Sequence, residues 1–134
     1  MNILEKLEME EGFRERMYDC PAGKKTIGIG VNLETTPIPK TVAQEWVRHI
    51  LNDINVEMAR HEWFRTLNHD RRVVIQDMCY QMGVSGVLGF GNMIKAIEKR
   101  DWERAAAEML DSKWAMQTPA RATRNADAMR SGSL

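Results

Sequence analysis

Three residues that can move a proton or hold a water stand close together near the start of the chain. Glu11 is followed after eight residues by Cys20 and after five more by Thr26. A hydrolytic step needs an acid to protonate a leaving group and a second group to place or activate a water. Glu11 suits the first role. It ends an apolar-periodic stretch, where the helix dipole disfavours a negative charge by about 0.3–1 kcal/mol, and Glu10 beside it adds repulsion. Cys20 is less direct, because an ordinary thiol is only a few per cent thiolate at about pH 7. It would orient a water, or act as a nucleophile if its pKa were lowered. Alternatively it is a half-buried spacer, and Asp19 or Thr26 handles the water. Neighbours on a strand face opposite sides, so Asp19 does not replace position 20 without a backbone shift.

The elements that must position these residues follow from periodicity. Ile3, Leu4, Leu7 and Met9 among Glu5, Lys6, Glu8 and Glu10 predict an amphipathic helix, with Asn2 and Glu5 as a capping box and Gly12 as a left-handed stop. Pro21-Ala22-Gly23 is a turn signal, and Thr26 to Val31 reads as one strand with Gly28 and Gly30 on one face. That bare face suits tight backbone packing or the close approach of a ligand. Pro37 and Pro39 break the chain. Val42, Trp46, Val47, Ile50, Leu51, Ile54 and Met58 then predict one long helix.

Asn68 caps a central helix through Met82, and Gly83, Gly86 and Gly89 leave only turns or a one-turn helix. Helices are predicted over Asn92–Lys99, from Asp101 to Leu110, and from Thr118-Pro119 to Met129. The expected class is α+β: a hairpin lobe over about 12–36, a connecting helix over about 40–61, a helical lobe of 1–11 plus 62–134, and a cleft between.

With 134 residues, 43% of them apolar and 28% charged, a single globular domain is expected. No apolar run approaches the ~20 residues of a membrane span. The acidic N-terminus lacks an apolar leader core, so synthesis in a cytoplasm without a leader is expected. The net charge is zero, with 8 basic against 11 acidic residues in 1–62 and 11 against 8 in 63–134. A basic second half suits an anionic polymer. Nucleic acid is not expected, because the chain has no basic cluster longer than a pair such as Arg71-Arg72. Cys20 and Cys79 are expected to be reduced, and His49, His61 and His69 form no ligand spacing with them, so neither metal nor cofactor is expected.

The pattern Glu11, Cys20, Thr26, Gly28, Gly30 resembles the signature of the phage-type lysozymes, glycoside hydrolase family 24. The resemblance resumes at Tyr80-Gln81-Met82-Gly83, Gly89-Phe90, Trp102, Trp114, Gln117-Thr118-Pro119, Arg121 and Arg130-Ser131-Gly132. It implies a lysozyme-like fold and a muramidase of the endolysin type. Such an enzyme cleaves the β-1,4 bond between N-acetylmuramic acid and N-acetylglucosamine in peptidoglycan, with Glu11 as acid and Cys20 and Thr26 beside the water. Cysteine at position 20 lies within the family's range.

Arg121 looks like the arginine that pairs with the catalytic glutamate, and Tyr80 and Gln81 match the cleft wall. Asn32 stands where sugar hydroxyls would be met. Val31, Met93 and Glu108 depart from the familiar contacts. Trp102, Trp114 and the ten methionines read as core. The family implies a phage or prophage origin and a monomer. It also implies no stable membrane insertion, with holin-dependent release onto a Gram-negative wall in the periplasm. Two alternatives stand beside this: lytic transglycosylase chemistry on the same bond, and a catalytically weak wall-binding phage module, against which the intact Glu11 argues.

Overall fold

The computed structural model describes residues 1–134. Its elements in chain order are α1 (Ile3–Glu11), β1 (Arg14–Asp19), β2 (Lys25–Gly28), β3 (Val31–Asn32), α2 (Lys40–Met58), α3 (Glu62–Arg65), α4 (His69–Met82), α5 (Val84–Leu88), α6 (Gly91–Glu98), α7 (Trp102–Leu110), α8 (Lys113–Gln117) and α9 (Pro119–Ser131). Nine helices and one small antiparallel sheet make a mixed α+β, lysozyme-like fold. No helix is long and apolar enough to cross a membrane.

The chain forms two compact units, Met1–Gln44 and Glu45–Leu134. In the first, the predicted capping box closes α1. The Asn2 side chain accepts from the Glu5 N–H at 2.8 Å, and the Asn2 N–H donates to the Glu5 carboxylate at 2.9 Å. Such a cap contributes about 0.5–2 kcal/mol. The sheet has the order β1-β2-β3, with Thr26 facing Tyr18 on one side and Asn32 on the other.

Two expectations for this unit are corrected. Thr26 to Val31 is not one strand: β2 ends at Gly28, and β3 starts at Val31. Gly28 and Gly30 have φ of 66° and 63°, so the chain reverses within two residues, a path open to glycine and costly to side chains. Gly12 has φ 71° but ψ 178°; it stops α1 by turning extended rather than left-handed helical. Helix α1 falls in the same unit as the sheet.

In the second unit the core is built around methionine. Met58, Met78, Met93, Met109 and Met129 are fully buried beside Val74, Ile75 and Val87. Unbranched, polarisable side chains fill irregular gaps between short helices. Asn68 caps α4 by accepting from the Arg71 N–H at 2.9 Å. Arg71 lies over the Trp102 ring at 3.8 Å and donates to the Met129 and Arg130 carbonyls at 2.8 and 3.1 Å, closing the C-terminal end of α9. Pro119 opens α9 as expected, but Thr118 gives no side-chain cap. Its hydroxyl donates back to the Trp114 carbonyl at 3.0 Å. The connecting helix ends at Met58, three residues early, and α3 and α8 were not foreseen.

Candidate active site

The first unit places Glu11 against the turn between β2 and β3. A Cβ built on Gly30 would lie 2.6 Å from Glu11 Cδ, 2.6 Å from Oε2 and 2.8 Å from Cγ. The carboxyl therefore occupies the space that any side chain at position 30 would need. Capped at its start and stopped by Gly12, α1 ends where its last residue reaches this turn.

Cys20 begins the connection from β1 to β2. Its N–H donates to the Lys24 carbonyl at 2.9 Å, and Gly23 N–H donates to the Cys20 carbonyl at 2.7 Å. The tight turn brings the backbone N–H groups of Lys24 and Ala22 to the half-buried sulfur. They hold the thiol below its ordinary value, the Lys24 group most strongly; the Thr26 hydroxyl adds to this, and partial desolvation opposes it. Thr26 is 3% exposed, and its hydroxyl donates to the Lys24 carbonyl at 2.8 Å. A hydroxyl carries one proton, so Thr26 offers it either to that carbonyl or to a Cys20 thiolate.

Asp19 pairs across the sheet with Lys25, carboxylate to ammonium, at 2.7 Å. Asn32, opposite Thr26, accepts from the Glu34 N–H at 2.9 Å through its side-chain oxygen, which leaves its amide donors free. The unit thus gathers an acid over Gly30, a thiol with lowered pKa, a buried hydroxyl and an amide.

The remaining candidates lie in the second unit. Tyr80 on α4 is 45% exposed. Gln81 gives its side-chain oxygen to the indole N–H of Trp114 at 2.9 Å, so one of its polar atoms supports the core. Trp114 is buried, edge-on to Phe90. Arg121 donates through Nε and Nη2 to Asp77, whose Oδ2 also accepts from Asn125 at 2.7 Å. The carboxylate that engages Arg121 here is that of Asp77. Its carboxyl is held below the usual range, first by hydrogen bonds from Arg121 and then by Asn125, against desolvation.

Sequence reasoning missed that the Glu11 carboxyl packs over Gly30. The G-x-G spacing pointed to a close approach, and the approaching group is Glu11. It also missed the backbone donors of Ala22 and Lys24, which only the turn geometry reveals. No group of three or more His, Cys, Asp or Glu residues is placed to hold a metal ion.

A helix-end carboxyl packs on a small sheet within a mixed α+β fold. The family model described as phage lysozyme matches residues 8–126. The chain belongs to the phage lysozyme family, a family of peptidoglycan-degrading muramidases. It is 29% identical over 164 aligned positions to the pre-baseplate central spike protein Gp5 of Enterobacteria phage T4, covering all of this chain and 28% of that protein. It is 28% and 26% identical to "Probable T4-type lysozyme 1" and "Probable T4-type lysozyme 2" of Dictyostelium discoideum, in each case over 99% of this chain and 96% of the relative. The chain thus spans little more than a quarter of the spike protein and nearly all of the two Dictyostelium proteins.

Proposed function

We propose that this protein hydrolyses the β-1,4 bond between N-acetylmuramic acid and N-acetylglucosamine in peptidoglycan, with Glu11 as general acid. The observation that carries this reading is the placement of the Glu11 carboxyl over Gly30, in the same small unit as Cys20 and Thr26. Protonated Glu11 gives its proton to the glycosidic oxygen as the bond to the muramyl anomeric carbon breaks. A water held by Thr26 and Cys20 adds to that carbon. The thiolate accepts the proton of the water, and exchange with solvent then deprotonates Cys20 and reprotonates Glu11. Asn32 meets sugar hydroxyls with its free amide. The protein acts as a monomer, is made in a host cytoplasm and reaches the periplasmic wall through a holin-type lesion.

One observation favours a second reading. Asp19, the carboxylate nearest Cys20 in sequence, is committed to Lys25, so no second carboxylate stands ready to activate a water. In lytic transglycosylase chemistry the muramyl 6-hydroxyl attacks instead and leaves an anhydro product.

Digestion of purified Gram-negative peptidoglycan by wild type, Glu11→Gln and Cys20→Ser, with mass analysis of the products, separates these outcomes. Reducing muropeptides from wild type and none from Glu11→Gln are expected. Anhydro products would move the assignment to transglycosylase. A wild type that releases nothing would overturn the enzymatic reading.

A further inference from the structure

A recess of about 330 Å³ lies in the second unit, where α3 meets the end of α6, lined by Glu62, Trp63, Thr66, Ile97, Glu98 and Arg100. Trp63 is half-buried, with Phe64 edge-on at 6.3 Å and His61 tilted against it at 6.0 Å. Its indole N–H has no protein acceptor, in contrast to that of Trp114. Glu62, Glu98 and Arg100 share the recess, yet none of them forms an ion pair. Thr66 bonds back to the Glu62 carbonyl and shapes the wall.

Arg100 carries a second signal. It stands just past the Lys99 cap of α6 with φ 55° and is the only non-glycine residue at positive φ. Helices that end this way normally use glycine. A strained backbone that presents a charged side chain to a recess marks a position where the side chain matters.

We propose that this recess is an auxiliary saccharide site that takes one N-acetylhexosamine unit of wall glycan; this rests on the peptidoglycan reading above. The apolar face of a pyranose stacks on Trp63, as amphipathic ligands do on indole. The indole N–H and Arg100 donate to the sugar, and Glu62 and Glu98 accept from its hydroxyls, all charge-assisted except the indole bond. Two carboxylates repel an anion and the guanidinium repels a cation, so a neutral ligand with both donors and acceptors fits best. The volume is at the lower end for small-molecule sites and suits a single sugar. A site of this kind would hold the enzyme on an insoluble polymer between cleavage events.

The test titrates tri-N-acetylchitotriose into the full chain and follows amide and indole ¹H–¹⁵N signals. The Trp63 indole and Arg100 amide signals are expected to shift together and saturate, separately from any shift at Thr26. Trp63→Ala should weaken this binding about tenfold. Should that variant unfold, Arg100→Gly serves instead: glycine relaxes φ 55°, so the melting temperature should rise while binding weakens several-fold. Glu98→Lys, on the surface, should weaken it without altering the melt.

An unmoved Trp63 signal in a wild type that digests peptidoglycan overturns this site alone. A moved signal in a wild type that digests nothing keeps the site and overturns the catalytic reading. Neither digestion nor a shift overturns both.

Discussion

The Glu11 carboxyl occupies the place of a side chain on Gly30: a Cβ there would sit 2.6 Å from Glu11 Cδ and Oε2. The clash is with the free end of a flexible chain, so Gly30→Ala is accommodated by Glu11 swinging away. The variant should lose about 1–2 kcal/mol of stability from its positive φ and about a hundredfold in kcat from a displaced acid. Peptidoglycan digestion and thermal unfolding measured side by side check this. A large stability loss with an unchanged turnover per folded molecule would show that Gly30 does not position the acid.

The two thiols should differ sharply in reactivity. Backbone N–H groups of Lys24 and Ala22 lower the Cys20 pKa, whereas burial pushes the Cys79 thiol up to about 11. At pH 7 about one Cys79 in ten thousand is thiolate. Iodoacetamide should therefore label Cys20 in the native protein and reach Cys79 only after denaturation, as peptide mass mapping would reveal. Equal labelling would contradict the turn geometry.

The ion pair of Asp77 and Arg121 should set part of the acid limit of stability. The Asp77 carboxyl is lowered in the folded state. Its contribution is full above the unfolded carboxylate value, about 4, and fades as pH falls through the folded one. Asp77→Asn should cost about 1–2 kcal/mol near neutrality, with solvent screening limiting the loss. It should also flatten the fall of the urea midpoint as the pH drops below the unfolded carboxylate value. An Asp77→Asn variant that keeps the wild-type acid slope would assign that slope to other groups.

Gln81, expected at a cleft wall, has a structural task. Gln81→Leu leaves the Trp114 indole N–H without its acceptor and should destabilise by about 1–3 kcal/mol. Gln81→Glu keeps an acceptor and should retain most of the stability. Urea unfolding of the two variants decides.

Much of this molecule was legible in its sequence where one local rule sufficed. The Asn2–Glu5 box, the caps at Asn68 and Asp101 and the stop at Gly83 all formed, because each depends on a few adjacent residues. The break between β2 and β3 was hidden, because Ile29 and Val31 carry strand propensity while Gly28 and Gly30 set the path. The short helices α3 and α8 span too few turns to show a period. In the site, residue types were readable. What they touch depends on the fold: Asp19 with Lys25, Arg121 with Asp77 and Glu11 over Gly30.

The placement of sulfur has a consequence for survival under peroxide. Met58, Met78, Met93, Met109 and Met129 are sealed in the core, whereas Met1, Met9, Met17 and Met116 stand 58–83% exposed. Oxidants reach accessible thioethers first and convert them to sulfoxides, which is tolerable at the surface and disruptive in a packed interior. The surface set should therefore oxidise first, and the core thioethers only as the protein opens.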